Sequence, residues 1–96
     1  MIVVRGVFQA KYGKGDELVQ LFKEGNAMWP GWRNARILTD LSGPFFTVVT
    51  EGEYESFAAW QAEGQQTFGD ARFAAWFERM TALVESGRRE FYNLVE

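Results

Sequence analysis

Few side chains in this sequence could do chemistry on a ligand. Arg5 lies inside the apolar run IVVRGVFQA, where a guanidinium can stabilise an anion. Near the other end, Tyr92 and Asn93 can donate hydrogen bonds, and Asn93 is the polar residue that local structure explains least. Tryptophan rings can form the walls of an apolar pocket. The candidate pocket residues are therefore Arg5, Trp32, Trp60, Trp76, Tyr92 and Asn93.

Each of these residues also has a purely structural interpretation. Arg5 can form an ion pair with Glu51 or Glu90 on a neighbouring strand, which is the favoured role. Trp60 and Trp76 share helical spacing with other apolar residues, which favours core packing. In MWPGW (28–32) the second tryptophan follows a Pro-Gly turn, where it closes the end of the core. It becomes a pocket lid only if the space beneath it is unfilled.

Histidine and cysteine are both missing from the 96 residues. This excludes a histidine-based catalytic triad, a thiol nucleophile, a disulfide and a thiolate zinc site. We therefore predict no cofactor and no metal site. The acidic run EGEYE (51–55) could gather a hard cation, but a carboxylate ladder that blunts a sheet edge is the favoured interpretation. The segment GRRE (87–90) is interpreted as a solvated rim.

Length and charge restrict the class of protein. We expect one domain over residues 1–96, because a chain of this length has no room for two cores. The formal net charge of −3 argues against nucleic acid and anionic membranes as partners. The first apolar run is too short for a signal peptide, and no segment approaches the roughly 20 apolar residues of a membrane span. A soluble cytoplasmic protein is expected.

The apolar pattern predicts the order β-α-β-β-α-β. Runs of β-branched and aromatic residues predict strands over 2–10, 34–41, 45–54 and 88–96, with a tight turn at SGP (42–44) between the second and third. Apolar residues at helical spacing predict a first helix that ends at Pro30. Its apolar stripe consists of Leu18, Leu21, Phe22, Gly25 and Trp29.

Local signals set the expected helix ends. Asp16, Ser56 and Asp70 are each placed to cap the start of a helix. The segment GQQTFGD (64–70) is expected to interrupt the helix that Ser56 begins. Gly87 is expected to end the last helix as its C-terminal glycine.

This order is that of the ferredoxin-like split βαβ fold, an α+β fold with a four-stranded antiparallel sheet and its helices on one face. The first strand has apolar side chains on both faces, with Val4 and Phe8 on one and Val3 and Val7 on the other. The helices can bury only one face. A second copy of the chain, related by a twofold axis, is expected to cover the other.

The run PGWRNARILTDLSGPFFTVVTEGEYESFAAWQAE (30–63) resembles antibiotic-biosynthesis-monooxygenase-like and NIPSNAP-like domains, which belong to the dimeric α+β barrel group. It combines a Pro-Gly turn beside an aromatic residue, a strand hairpin that ends in acidic and aromatic residues, and a helix with the pattern F-x-x-W. An RNA-recognition motif shares the topology but needs basic residues that SGPFFTVV (42–49) lacks.

The resemblance implies that two sheets face each other to close a barrel, with any ligand between sheet and helices of one subunit. Similar proteins include cofactor-free monooxygenases, haem-degrading enzymes, lactone isomerases and proteins with no known activity. A cofactor-free monooxygenase takes electrons from a phenolic substrate, so it needs an apolar pocket and groups that favour the phenolate. Haem degradation is disfavoured: Trp60 matches the expected tryptophan, but the expected strand asparagine and the histidine are missing.

Two functions stay open at this point, and no catalytic residue is assigned. The first is a homodimer that binds a small hydrophobic or phenolic molecule, with cofactor-independent oxidation or isomerisation as the activity. The second is a non-enzymatic ligand-binding or dimerisation module in which the aromatic rings are all core.

Overall fold

The computed structural model describes residues 1–95. It consists of strand β1 (Ile2–Ala10), helix α1 (Gly15–Met28), strands β2 (Arg33–Thr39) and β3 (Thr47–Tyr54), helices α2 (Phe57–Gly69) and α3 (Phe73–Leu83), and strand β4 (Val84–Asn93). The predicted α+β order is confirmed, with two helices between β3 and β4. In the described part of the chain, no helix has both the length and the apolar character needed to cross a membrane.

All strand pairs of the sheet are antiparallel, in the order β2-β3-β1-β4. This is the ferredoxin-like arrangement that the sequence predicts. Successive side chains of a strand point to opposite faces, so Val4, Gly6 and Phe8 of β1 share one face and Val3, Arg5 and Val7 share the other. The ring of Phe8 lies 4.8 Å from that of Phe22 on α1, which identifies the first set as the helix-covered face.

Helix α1 supplies most of the fully buried core. Leu18 and Leu21 have no exposed surface, and Phe22 keeps only 5%. They pack against Ala10 of β1 and Val48 of β3. Burying a large apolar side chain contributes roughly 1.5–3 kcal/mol, so this stripe is a main source of stability. The predicted apolar stripe of the first helix is therefore confirmed.

The predicted start of α1 is wrong in detail. The helix begins at Gly15, and Lys14 occupies the capping position without a side-chain hydrogen bond to the helix. Asp16 lies inside the first turn instead. A carboxylate there still stabilises the helix, because it faces the positive end of the helix dipole.

Helix α2 begins as predicted but does not stop where predicted. The Ser56 hydroxyl accepts a hydrogen bond from the Ala59 amide at 3.1 Å and caps the helix. The expected interruption at 64–70 is wrong, because α2 continues to Gly69. Gly64 lies inside this helix, and a single glycine weakens a helix by only about 1 kcal/mol.

Asp70 does not cap α3 as predicted; it joins the two helices. Its Oδ1 accepts the Arg72 backbone N–H at 2.8 Å, and its Oδ2 accepts the Trp29 indole N–H at 3.2 Å. Hydrogen bonds from Arg72 hold the pKa of this carboxyl well below its usual range, and the bond from Trp29 adds to the effect. The junction is thus tied to the end of α1.

The last strand begins earlier than predicted. Helix α3 ends at Leu83 and β4 starts at the next residue, so the expectation that Gly87 ends a helix is wrong. Gly87 lies inside β4, opposite Phe8, and an added Cβ would be 3.0 Å from the Phe8 ring. The aromatic ring fills the space that a side chain would need. Glu96, the last residue of the predicted strand, lies outside the described residues.

The β2–β3 hairpin is antiparallel as predicted, but its loop is longer than a tight turn and spans 40–46. The Asp40 carboxylate accepts the Thr47 amide at 3.0 Å and closes the loop. Gly43 has φ +92°, a conformation that glycine adopts without strain.

Candidate functional site

A cavity of about 340 Å³ lies between the sheet and the helices. Its floor is formed by Val4 and Gly6 of β1 and Thr50 of β3, which are neighbours on the helix-covered face. The Phe8 ring and the Thr50 hydroxyl lie over Gly6, within 3 Å of where its Cβ would be, and complete this floor. Helices α2 and α3 close over the floor without any fully buried residue of their own.

Aromatic rings form the walls of the cavity. Trp29 and Trp76 meet edge to face, with ring centroids 5.5 Å apart, and Trp60 meets Phe91 in the same way at 4.9 Å. Edge-to-face contacts of this kind hold rings in fixed orientations. Trp32, Trp60 and Trp76, all predicted pocket residues, line this one cavity.

Trp76 has a structural role as well. Its indole N–H donates a hydrogen bond to the Leu21 carbonyl of α1 at 3.0 Å. Its ring packs tightly on Gly25, with the indole nitrogen 3.1 Å from where a Cβ would be. Trp76 thereby fixes α3 against α1 while one edge of the ring faces the cavity.

Trp32 closes the β2–β3 end of the cavity. Its ring lies against the backbone of Gly52, and its centroid is 6.0 Å from that of Tyr54. The ring therefore packs on the sheet on one side and borders open space on the other. The contact with Gly52 accords with the plug, and the pocket lid that the MWPGW motif left as the alternative stays a prediction.

Arg89 brings a positive charge to the cavity, which the sequence analysis missed. It pairs with Gly6 across the strands, so its side chain extends over the helix-covered face. Its guanidinium carbon lies 5.1 Å from the centroid of the Trp60 ring, within the range of a cation–π interaction. GRRE was interpreted as a solvated rim, whereas strand alternation places its second arginine beside the cavity.

A carboxylate and a phenol line the same cavity. Glu63 is on α2, and its carboxylate lies against Gly31 in the turn after α1. Burial raises the pKa of Tyr54, and the negative charge of Glu63 raises it further. Tyr54 is therefore a neutral hydrogen-bond donor at physiological pH.

Arg5 and Tyr92 lie on the opposite face of the sheet, away from this cavity. Arg5 forms an ion pair with Glu51, its Nε 3.4 Å from the carboxylate oxygen, which is the structural role that the sequence favours. Tyr92 donates a hydrogen bond from its hydroxyl to Glu90 at 3.0 Å. Asn93 pairs with Ile2 and so belongs to the helix-covered face, but it is not among the residues that line the cavity.

The face that the helices leave uncovered, here called the open face, has a row of alternating charges. Arg36, Glu51, Arg5 and Glu90 are direct neighbours across all four strands. Hydrogen bonds from Arg88 and then Tyr92 lower the pKa of Glu90. The adjacent row has the apolar residues Leu38, Val49 and Val7 and ends at Arg88 on β4.

The acidic run at the end of β3 is matched by nearby donors. Glu51 pairs with Arg36 and Arg5 on the neighbouring strands. Asn34 donates to Glu53 at 3.1 Å, and Arg33 pairs with Glu55 at 3.0 Å. These partners account for the acidic ladder as a cross-strand network.

The fold has well-matched counterparts among solved structures. An uncharacterised NIPSNAP domain protein from Burkholderia xenovorans superposes with a TM-score of 0.88 at 20% identity, over 99% of this chain and 95% of its own. A NIPSNAP family protein from Agrobacterium tumefaciens has the same TM-score at 23% identity, over 99% of this chain and 86% of its own. A protein from Nitrosomonas europaea, provisionally assigned as an antibiotic biosynthesis monooxygenase, has a TM-score of 0.75 at 17% identity over 100% of both chains.

These likenesses confirm the ferredoxin-like α+β fold of the single chain that the sequence predicts. At such low identity they show the fold alone. No protein family matches this chain by sequence pattern, and no curated protein matches it.

Proposed function

We propose that this chain, whose fold is that of NIPSNAP domain proteins and antibiotic-biosynthesis-monooxygenase-like proteins, binds a small hydrophobic or phenolic ring compound without a cofactor. The observation that carries the proposal is the cavity between the sheet and α2 and α3. Its volume of about 340 Å³ falls within the range of small-molecule sites, roughly 300–1,000 Å³. Its walls are mainly aromatic, with a few polar groups that can orient a ligand.

The arrangement of the walls supports a planar ligand. Trp32 and Tyr54 lie at one end, and Trp60 lies on α2 beneath the guanidinium of Arg89. A ring inserted between such walls can make stacked and edge-to-face contacts at the same time. Desolvation of the ring and of the tryptophans would be the main source of affinity.

Calorimetric titration with 2-naphthol tests this proposal. The wild-type protein is expected to bind the compound with saturable heat, and Trp60→Ala to lose most of the affinity. Phe45→Ala is the control, because Phe45 is 69% exposed and is not among the cavity-lining residues. Absence of saturable binding to the wild type, or equal loss in both variants, would count against the cavity as the site.

A catalytic role on the same ligand is the second candidate function, favoured by the position of Glu63. A carboxylate in an aromatic cavity can accept the proton of a bound phenol, which makes the ligand easier to oxidise. Dioxygen would be the oxidant and the ligand itself the source of electrons. Oxygen uptake with 1,4-dihydroxynaphthalene tests this, measured against the rate without protein. A rate that is unchanged in Glu63→Gln would rule out the carboxylate as the base.

The working form of the protein in this proposal is a homodimer joined through the open face. Two copies related by a twofold axis that runs along the strands, between β3 and β1, would place β2 of one copy over β4 of the other. Arg36 would then face Glu90 of the partner subunit, and Glu51 would face the partner's Arg5. Every charge in the row would meet its opposite, which is self-complementary in the way a twofold interface requires.

Native mass spectrometry tests the homodimer. A species of twice the 11.0 kDa chain mass is expected at low micromolar concentration. Extra mass on that species would identify a retained ligand. A monomer alone would contradict the proposed interface and would leave the cavity proposal to be decided by the titration.

A further inference from the structure

We infer that the ligand of the aromatic cavity is anionic and that Arg89 binds its negatively charged group. The inference rests on the proposed function, since it concerns the ligand of the same cavity. It adds the chemical class: a planar aromatic ring with a carboxylate or a comparable anion at one end.

Arg89 differs from every other arginine in its partners. In the part of the chain that the structure describes, each of the others has a carboxylate oxygen within 4.0 Å. Arg89 has none. Its sequence neighbour Arg88 is exposed as well, yet its Nε lies 3.0 Å from Glu90 on the open face. Exposure by itself therefore does not explain why Arg89 lacks a carboxylate.

Arg89 is placed where its charge can bind an anion in the cavity. The residue pairs with Gly6 on the helix-covered face, and its guanidinium lies 5.1 Å from the Trp60 ring centroid. The cation–π contact orients the guanidinium but leaves its N–H donors without an acceptor among residues 1–95. An anion that enters the cavity beside Trp60 can accept those donors in a charge-assisted, two-point contact.

Glu63 fixes the direction in which such a ligand binds. Its carboxylate lies against Gly31, and no lysine or arginine nitrogen comes within 4.0 Å of it in residues 1–95. A ligand anion placed there would be repelled. The neighbouring Tyr54 hydroxyl can donate a hydrogen bond to a neutral polar substituent. The anionic end of the ligand is thus directed to Arg89 and the neutral end to Tyr54.

Two probes of nearly equal size separate the contribution of the ligand's negative charge to affinity from that of its aromatic ring. Calorimetric titration with 2-naphthoate and with 2-naphthamide is expected to give at least about tenfold tighter binding of the carboxylate by the wild type. In Arg89→Gln the preference is expected to disappear, with the affinity for the amide unchanged. Arg79→Gln removes the same charge from the surface of α3, where Arg79 pairs with Glu24, and is expected to keep the preference.

Two further measurements keep the test decisive if Arg89→Gln does not fold. Arg89→Lys retains the charge without the two-point geometry and is expected to keep only part of the preference. For the wild type, the preference for 2-naphthoate is expected to fall as sodium chloride is raised from 20 to 500 mM, whereas binding of the amide stays constant.

The outcomes distinguish this inference from the proposal on which it rests. Equal affinity of the wild type for the two probes, or a preference that survives in Arg89→Gln, would overturn the anionic class and leave ring binding in place. Failure of both probes to bind would overturn both. If Arg79→Gln abolished the preference equally, the preference would come from the net charge of the protein. That result would also overturn the role of Arg89.

Discussion

The ring of Trp32 lies directly against the backbone of Gly52, in the space where the Cβ atom of any other residue would be. This contact depends on two separate features of the chain. The turn MWPGW brings the tryptophan onto the sheet, and the bare backbone of β3 lets its ring lie flat there. One end of the candidate cavity is therefore set by a residue without a side chain.

Gly52→Ala is expected to destabilise the protein. The added methyl group would displace the Trp32 ring, and overpacking of this kind costs about 1–3 kcal/mol. Urea unfolding followed by circular dichroism measures the change. Gly64→Ala is the control: its added methyl group meets no atom within 4 Å beyond the helix's own backbone, so stability is expected to rise by about 0.5–1 kcal/mol. Equal effects of the two substitutions would contradict the close packing at Gly52.

Trp76 and Trp60 are expected to respond differently to replacement by phenylalanine. Trp76→Phe loses the hydrogen bond to the Leu21 carbonyl and part of the packing against Gly25, so the free energy of unfolding should fall by about 1–3 kcal/mol. Trp60 has no such bond to α1, so Trp60→Phe should lose less than about 1 kcal/mol and should weaken binding of 2-naphthol instead. A larger loss of stability in Trp60→Phe would reverse the two roles.

The linker between α2 and α3 is expected to make stability depend on pH. The pKa of Asp70 in the folded protein lies below its unfolded value, mainly because Arg72 donates hydrogen bonds to the carboxylate. Its stabilising effect is therefore fully present above the ordinary carboxyl pKa of about 3.9 and is lost as the pH falls below it. Asp70→Asn is expected to be less stable than the wild type at pH 7, and the difference should shrink between pH 4 and pH 2.

Urea unfolding at pH 7, 4 and 3 measures this difference. Glu78→Gln is the matched control, because Glu78 is exposed on α3 and no lysine or arginine nitrogen lies within 4.0 Å of it in the described residues. It should match the wild type at each pH. A difference between Asp70→Asn and the wild type that stays constant down to pH 3 would exclude the carboxylate as its source.

The open face offers a direct test of the proposed homodimer. Val49→Lys places a charge in the apolar row beside Leu38 and Val7, which would be desolvated between two copies, so the protein is expected to sediment as a monomer. Leu41→Lys is the control, since Leu41 is fully exposed in the β2–β3 loop. Sedimentation velocity separates the two forms. Dimeric Val49→Lys would place the interface elsewhere.

Periodic patterns predicted most of the fold because they follow from geometry that holds along a whole element. The stripe from Leu18 to Gly25 repeats at helical spacing and becomes the buried side of α1. The expected stop at 64–70 failed because it relied on glycines and glutamines alone. Glycine weakens a helix by only about 1 kcal/mol, which the surrounding turns of α2 can offset.

The candidate site was predicted less completely. Helical spacing identified Trp60 and Trp76, and the Pro-Gly turn identified Trp32. Alternation within β1 already separates Arg5 from Val4 and Phe8, but the contact of Phe8 with α1 in the structure was needed to identify which face the helices cover. Arg89 could not be found in this way. Its position depends on the pairing of β4 with β1 and on where α3 ends, and no local signal fixed either of them.

The uneven burial of the helices has a consequence for how the protein opens. Helix α1 contributes several fully buried residues, whereas α2 and α3 contribute none. Amide hydrogens of α2 and α3 should therefore exchange with deuterium through local opening, well before those of α1 and the central strands, which need global unfolding. Helices α2 and α3, which form walls of the cavity, would then also be the helices that open at the lowest free-energy cost. A ligand can then enter by a brief separation of these helices and slow their exchange once it is bound.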